Sequence, residues 1–423
     1  MKAFASIVRL ELVAAVRSKM LAALTGAAVL WMFVLPRFLR DDGTAEGAFE
    51  LHVRYSLGVV FALVVVSLAA AAAGTLSRDR DAMRLQLTLV RPVRRFAVAL
   101  GRIVALTAVG AFVLGVAAAI LQIREGAGKT CDHAVAPVVS DPAAEAERLY
   151  AEYEKNFPDF KEQAAEVGKA DIIKYLKQYV CDQFQSVAAG ETAEWRFEPP
   201  PDASAGLAVR VRLADMFGRL DRVSGEFSYG DLHGDLSHIT RTLARVDLER
   251  GEPQESPDAK AGTLVFRNGG KATVSVNPRR DLHLLVAAGG YGANVFRAWL
   301  ELVCILAAVV SMSAFFGSAL GRSVATFAAM AYLFASVVGP SVIEDRPDPV
   351  TMTRMERFTM SVADFSSALT SPMNSCAPVS ALESRECVEW REVARAAGLN
   401  VLLFPLVFSL LAGLAMSVKQ PRS

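Results

Sequence analysis

Six long apolar stretches interrupt an otherwise polar chain, at about Met20 to Pro36, Tyr55 to Leu76, Ile103 to Ile123, Ala293 to Leu320, Val324 to Ile343 and Leu399 to Val418. A helix needs roughly 20 residues at about 1.5 Å per residue to cross a hydrocarbon layer of about 30 Å, so the pattern predicts six transmembrane helices. The first stretch is short and bracketed by Lys19 and Arg37. No small-residue cleavage site follows it, so it reads as an uncleaved span rather than a signal peptide.

Ahead of it, Lys2, Ser6, Arg9, Val13 and Arg17 fall on one helical face and Phe4, Ile7, Val8, Leu12 and Ala15 on the other. That is the pattern of an amphipathic helix lying in a membrane interface. Glu11 sits in the apolar face, where a carboxylate is costly unless paired, so a salt bridge to a neighbouring arginine is expected. At the end of the fourth span, Gly317 and Gly321 form a small-xxx-small pair suited to close helix packing. Arg297 and Glu301, four residues apart in the fourth span, are placed to pair.

Two segments lack spanning character. From 124 to 292, helical periodicity at Ala143 to Tyr153 and Lys161 to Val187 gives way to short β-type runs separated by Pro, Gly and Asp clusters. This predicts an α+β domain, helices followed by a small antiparallel β-sandwich. The segment 344–397 reads as a second, shorter loop. The expected organisation is an interfacial helix at 1–18, spans one to three at 19–123, the α+β domain at 124–292, spans four and five at 293–343, the loop at 344–397, and the last span with its tail at 398–423.

Charge then orients the chain. Lys2, Arg9, Arg17 and Lys19 precede the first span, and seven arginines from Arg78 to Arg102 fill the connection after the second. Basic residues near span ends mark the cytoplasmic side, so both termini and the 77–102 connection are expected in the cytoplasm, with the two polar segments outside. Cys131, Cys181, Cys376 and Cys387 then fall on the outer, oxidising side. The nearest pairing, Cys131 with Cys181 and Cys376 with Cys387, is one of three connectivities, and unpaired thiols are the alternative.

Composition agrees with a membrane protein: 53% hydrophobic residues and a mean hydropathy of +0.32. A net charge of +1 gives no reason to expect nucleic acid, and five cysteines are too few for a disulfide-framework protein.

Motifs for chemistry are sparse. Gly126 to Thr130 looks like the end of a phosphate-binding loop, but Ile123 stands where the motif needs glycine and no strand precedes it. Gly230-Asp231-Leu232-His233-Gly234 echoes a metallophosphatase motif without its downstream partners, so a turn between strands is the preferred reading. Neither HExxH nor GxSxG occurs, and Cys131 with His133 is too isolated for structural zinc. We expect no catalytic residues, no metal and no cofactor.

The cytoplasmic connection carries Asp79, Asp81, Arg84, Leu85, Leu89, Arg91, Pro92, Arg94 and Arg95, a mixed-charge helix stopped by Pro92. An amphipathic helix ending in Arg17-Ser18-Lys19, six spans, and Leu-Thr-Leu-Val-Arg-Pro-Val-Arg-Arg followed by Leu100-Gly101-Arg102 resemble the membrane subunits of type 2 ABC exporters. Met83-Arg84 stands where that family often has Gly-Thr, and the insertion after the third span is longer than its usual short connection.

The resemblance covers the membrane parts. It implies an elbow helix at the N-terminus, a coupling loop near Asp79 to Pro92 that touches a separate ATP-binding cassette subunit, and two six-span halves forming the pathway, from a homodimer or a paired second permease in the inner membrane. ATP would be bound by the partner. Two rivals are a membrane-anchored sensor or scaffold with a ligand-binding outer β domain, and an outer hydrolase using Asp231, His233 and His238.

Overall fold

A computed structural model describes residues 2–17, 19–38, 45–81, 95–126, 128–139, 141–156, 168–198, 206–215, 222–239, 243–250, 262–344, 353–374 and 377–418. The chain divides into two units: Met1–Lys129, Gly290–Ser341 and Val362–Ser423 make one, Thr130–Gly289 and Val342–Ser361 the other.

The first unit is helical. It contains α1 (Lys2–Arg17), α2 (Met20–Val34), α3 (Ala45–Asp81) and α4 (Arg95–Glu125). After the other unit's strands come α7 (Tyr291–Ala319), α8 (Arg322–Glu344), α9 (Arg354–Asn374), α10 (Pro378–Glu383), α11 (Trp390–Ala396) and α12 (Phe404–Val418), with α8 and α9 contributing to both units. Four described helices are long and apolar enough to cross a membrane: Gly47–Gly74, Arg95–Glu125, Tyr291–Ala319 and Trp390–Met416.

This differs from the six expected. The first apolar stretch forms a pair with α1 bent by 60°, and counting that pair as one span brings the number to five. The stretch at Val324 to Ile343 lies in α8, whose described apolar part is only Ser323–Phe334. The last span begins well before Leu399, because α11 runs through a π-helical stretch, Ala397–Leu403, into α12. Apolar runs report where water is excluded, but backbone hydrogen bonding carries a helix beyond them into charged sequence such as Trp390–Arg395.

α7 is the central helix, with 78% of its most apolar window buried against 28% for the last span. Glycines set how closely its neighbours approach. A Cβ on Gly110 would lie 2.2 Å from Leu306 Cδ2 and 2.7 Å from Leu68 Cδ1, so α3, α4 and α7 meet at that point. A Cβ on Gly317 would lie 2.4 Å from the Ala73 carbonyl oxygen, backbone against backbone, while Gly321 faces open space.

The second unit is β-rich. Its strands are β1 (Thr130–Val135), β2 (Gln185–Val187), β3 (Thr192–Arg196), β4 (Leu207–Arg212), β5 (Ala214–Asp215), β6 (Arg222–Tyr229), β7 (Leu232–Ile239), β8 (Leu243–Arg250), β9 (Thr263–Asn268), β10 (Val274–Val276) and β11 (Leu282–Gly290). They form one wide sheet in the order β1-β11-β4-β8-β7-β6-β9-β3 and a three-stranded sheet β2-β10-β5. One core, including Val209, Phe227, Phe266, Val274 and Val276, draws on both sheets. The strands predicted for a small sandwich thus collect mainly into a single eight-stranded layer.

β4, between β11 and β8, turns Leu207, Val209 and Val211 into the core, while its other face runs from buried Ala208 through half-buried Arg210 to exposed Arg212. Gly230-Asp231 forms the two-residue turn between β6 and β7, with Tyr229 opposite Leu232 and Gly230 at φ +58. Two helices, α5 (Pro142–Asn156) and α6 (Lys169–Cys181), pack on each other through Ala146, Ile172 and Leu176. Asn268 ties strand ends together, donating from Nδ2 to the Val187, Ala188 and Ala272 carbonyls and accepting from the Gly270 amide.

Candidate functional site

The expected ATPase-coupling segment falls largely outside the described residues, Arg84, Leu85, Leu89, Arg91, Pro92 and Arg94 among them. Its flanks are described: Asp79 and Asp81 end α3, and Arg95 opens α4. Nearly two turns into α4, Gly101 leaves room for α1, since a Cβ there would lie 2.8 Å from Ile7 Cγ2.

The next residue locks the contact. Arg102 Nε lies 2.8 Å from Glu11 Oε1, with the two side chains 10% and 18% exposed, so the carboxylate in the apolar face of α1 is paired. α12 reaches the same place, where a Cβ on Gly413 would lie 3.2 Å from the Phe96 amide nitrogen. The amphipathic helix and the last helix therefore converge on the N-terminal end of α4.

A second polar assembly lines α7. Asn294, Arg297 and Glu301 repeat at helical spacing along one face. Asn294 Nδ2 donates to the Glu386 carbonyl at 2.6 Å and its Oδ1 accepts the Val388 amide at 2.7 Å. Arg297 Nη1 donates to the Val388 carbonyl at 2.9 Å, with its guanidinium 5.6 Å from the Trp390 ring centre. The expected Arg297–Glu301 pair is not formed: spacing allows it, but the guanidinium is drawn to a backbone carbonyl and an aromatic face instead. Glu301 is left 2% exposed, with Oε1 lacking a hydrogen-bond partner among the described residues.

Nearby, Lys129 of the loop-like Gly126–Thr130 run is occupied structurally, with Nζ 3.6 Å from Glu125 and 3.7 Å from the Phe49 ring centre. In the β-rich unit, Arg245 bridges Asp132 and Asp247. Asp132 is 1% exposed, so this pair is a structural device that neutralises a buried carboxylate. Burial pushes the Asp281 carboxyl up, opposed by Arg212 and Arg280.

Asp231 occupies the β6–β7 turn, and His233 Nδ1 lies 3.4 Å from Glu226 Oε1. The His238 side chain lies outside the described residues. Among the described residues no three His, Cys, Asp or Glu side chains gather as a metal site.

The cysteines depart from the nearest-neighbour pairing. Cys131 and Cys387 are disulfide-bonded, whereas Cys181 is a free thiol; Cys376 lies outside the described residues. Sequence proximity does not bring Cβ atoms to bonding distance. Cys181 ends α6, where its carbonyl accepts a 2.6 Å hydrogen bond from Asn277 Nδ2.

No family model, curated protein or solved structure matches this chain.

Proposed function

We propose that this chain is the membrane permease subunit of an ABC-type exporter, driven by a separate ATP-binding subunit that contacts the Asp79 to Arg95 connection. The observation that carries the reading is the locking of α1 onto the start of α4, by Arg102 with Glu11 and by Ile7 against Gly101. An interfacial helix fastened there sits at the helix end through which the 82–94 connection enters. Force applied to that connection would pass into α4 and α1 as one body.

In this reading α2 and α8 complete a six-span half, both termini are cytoplasmic, and a second half comes from another copy or a paired permease. The β-rich unit faces outward and receives cargo, recruits an envelope protein or gates the exit. No residue of the chain is asked to perform chemistry; ATP stays on the partner.

The test is co-purification from the native membrane in mild detergent, for wild type and for Arg91→Glu with Arg94→Glu. An ATP-binding subunit that accompanies wild type and is lost on charge reversal is the expected result. A wild-type preparation without any such subunit overturns the reading and favours a membrane-anchored sensor or scaffold built around the β-rich unit.

A further inference from the structure

The elements packed against α7 offer it almost no charge. α3 carries no charged residue between Arg54 and Arg78, α4 none between Arg102 and Arg124, and the π-helical stretch Ala397–Leu403 and α12 carry none at all. α10 contributes Glu383, which Arg54 already holds. α11 brings Arg391, Glu392 and Arg395, all exposed to solvent.

One carboxyl is buried in this setting. Glu301 is 2% exposed, and its Oε1 has no hydrogen-bond partner among the described residues. Arg297, one turn earlier on α7, is committed to the Val388 carbonyl and the Trp390 ring. Of the α11 groups, Glu392 is the one whose charge acts on Glu301, and it is a second acid.

An ionised carboxylate at Glu301 would give up its hydration, gain no counter-ion and face a like charge. A proton removes that cost at its source. A metal ion does not suit the place, because one carboxylate leaves most of a cation's coordination unfilled and no three His, Cys, Asp or Glu side chains gather among the described residues.

We propose that Glu301 is a proton-binding site, held as the neutral acid within the membrane and exchanging its proton with the aqueous phase by way of Glu392. Glu392 combines exposure to water with influence on Glu301, which is what a relay needs. In the uptake step an O–H bond of Glu392 breaks and one on Glu301 forms. The negative charge passes to Glu392, which takes its next proton from solvent. The inference rests on α7 crossing a bilayer and is independent of the exporter reading.

The test places the full chain in phosphatidylcholine vesicles at neutral pH and follows its infrared spectrum on transfer to heavy water. Wild type is expected to show the carbonyl stretch of a neutral carboxylic acid, shifting as deuterium replaces the proton. Glu301→Gln should lack that band while melting at the wild-type temperature, because glutamine keeps the shape and neutrality of the acid. Glu392→Gln should keep the band and slow its deuterium shift about a hundredfold. Glutamate labelled with carbon-13 at its side-chain carboxyl should move the band in wild type itself, which assigns it to a glutamate without any variant.

A wild-type spectrum without a neutral-acid band, a band that survives Glu301→Gln, a band unmoved by labelled glutamate, or an unchanged exchange rate in Glu392→Gln would each overturn the proposal. So would an ionised Glu301 paired with Arg297, read as equal losses of melting temperature in Arg297→Gln and Glu301→Gln with no further loss in the double variant.

Discussion

Arg54 on α3 grips Glu383 on α10 with both Nε and Nη2, each 2.8 Å from a carboxylate oxygen, although 329 residues separate them in sequence. Nη2 also donates to Glu50 one turn earlier on α3. Two parallel N–H donors on one carboxylate fix direction as well as distance.

Because Arg54 is 47% exposed and Glu383 only 11%, the pair is a partly solvated clamp. A double-mutant cycle with Arg54→Ala and Glu383→Ala should give a coupling of about 1 kcal/mol in thermal stability. Strict additivity of the two single losses would mean that the clamp positions α10 without stabilising it.

The two glycines of the small-residue pair should behave oppositely. Gly317→Ala places a methyl 2.4 Å from the Ala73 carbonyl oxygen and forces α7 away from α3, at about 2 kcal/mol. Gly321→Ala meets nothing within 4 Å among the described residues and should leave the melting temperature of the purified protein nearly unchanged. Equal effects would contradict the backbone contact.

Acid should fray one helix end. Thr353 donates to Glu356 Oε2 from its amide at 2.7 Å and its hydroxyl at 2.9 Å, and Glu356 N–H donates back to the Thr353 hydroxyl at 3.3 Å, a capping box at the start of α9. These hydrogen bonds hold the Glu356 carboxyl below its usual value. The ionised form is thus favoured by folding, and its contribution is present above the unfolded carboxyl pKa of about 4.3 and lost as pH falls through the lower folded value. Hydrogen exchange of the first turn of α9 should accelerate on acidification in wild type beyond its intrinsic pH dependence, and not in Glu356→Gln.

Thiol chemistry gives a fourth check. Maleimide applied to the folded protein should label Cys181, whereas Cys131 and Cys387 should label only after reduction and unfolding. Labelling of Cys131 without reductant would remove the disulfide.

Much of this was legible along the chain because it depends on neighbours three or four residues away. Amphipathic α1, the apolar cores of α3, α4 and α7, the Gly230-Asp231 turn and the need of Glu11 for an arginine follow from local periodicity and the cost of burying charge. The Thr353-x-x-Glu356 spacing was also open to reading. What stayed hidden depends on elements far apart in sequence. Arg297 prefers the Val388 carbonyl to Glu301 only because the chain returns past α7 some 91 residues later.

The sequence by itself determined that long helices bury apolar surface and that a β-rich segment interrupts them, because both follow from the period of hydrophobic residues. Only the tertiary structure decided that α7 is central, that Arg102 is the partner of Glu11, which cysteines are bonded, and that Glu301 stays apart from Arg297. Periodicity states which face must leave water; shape, glycine contacts and hydrogen-bond geometry choose what that face meets.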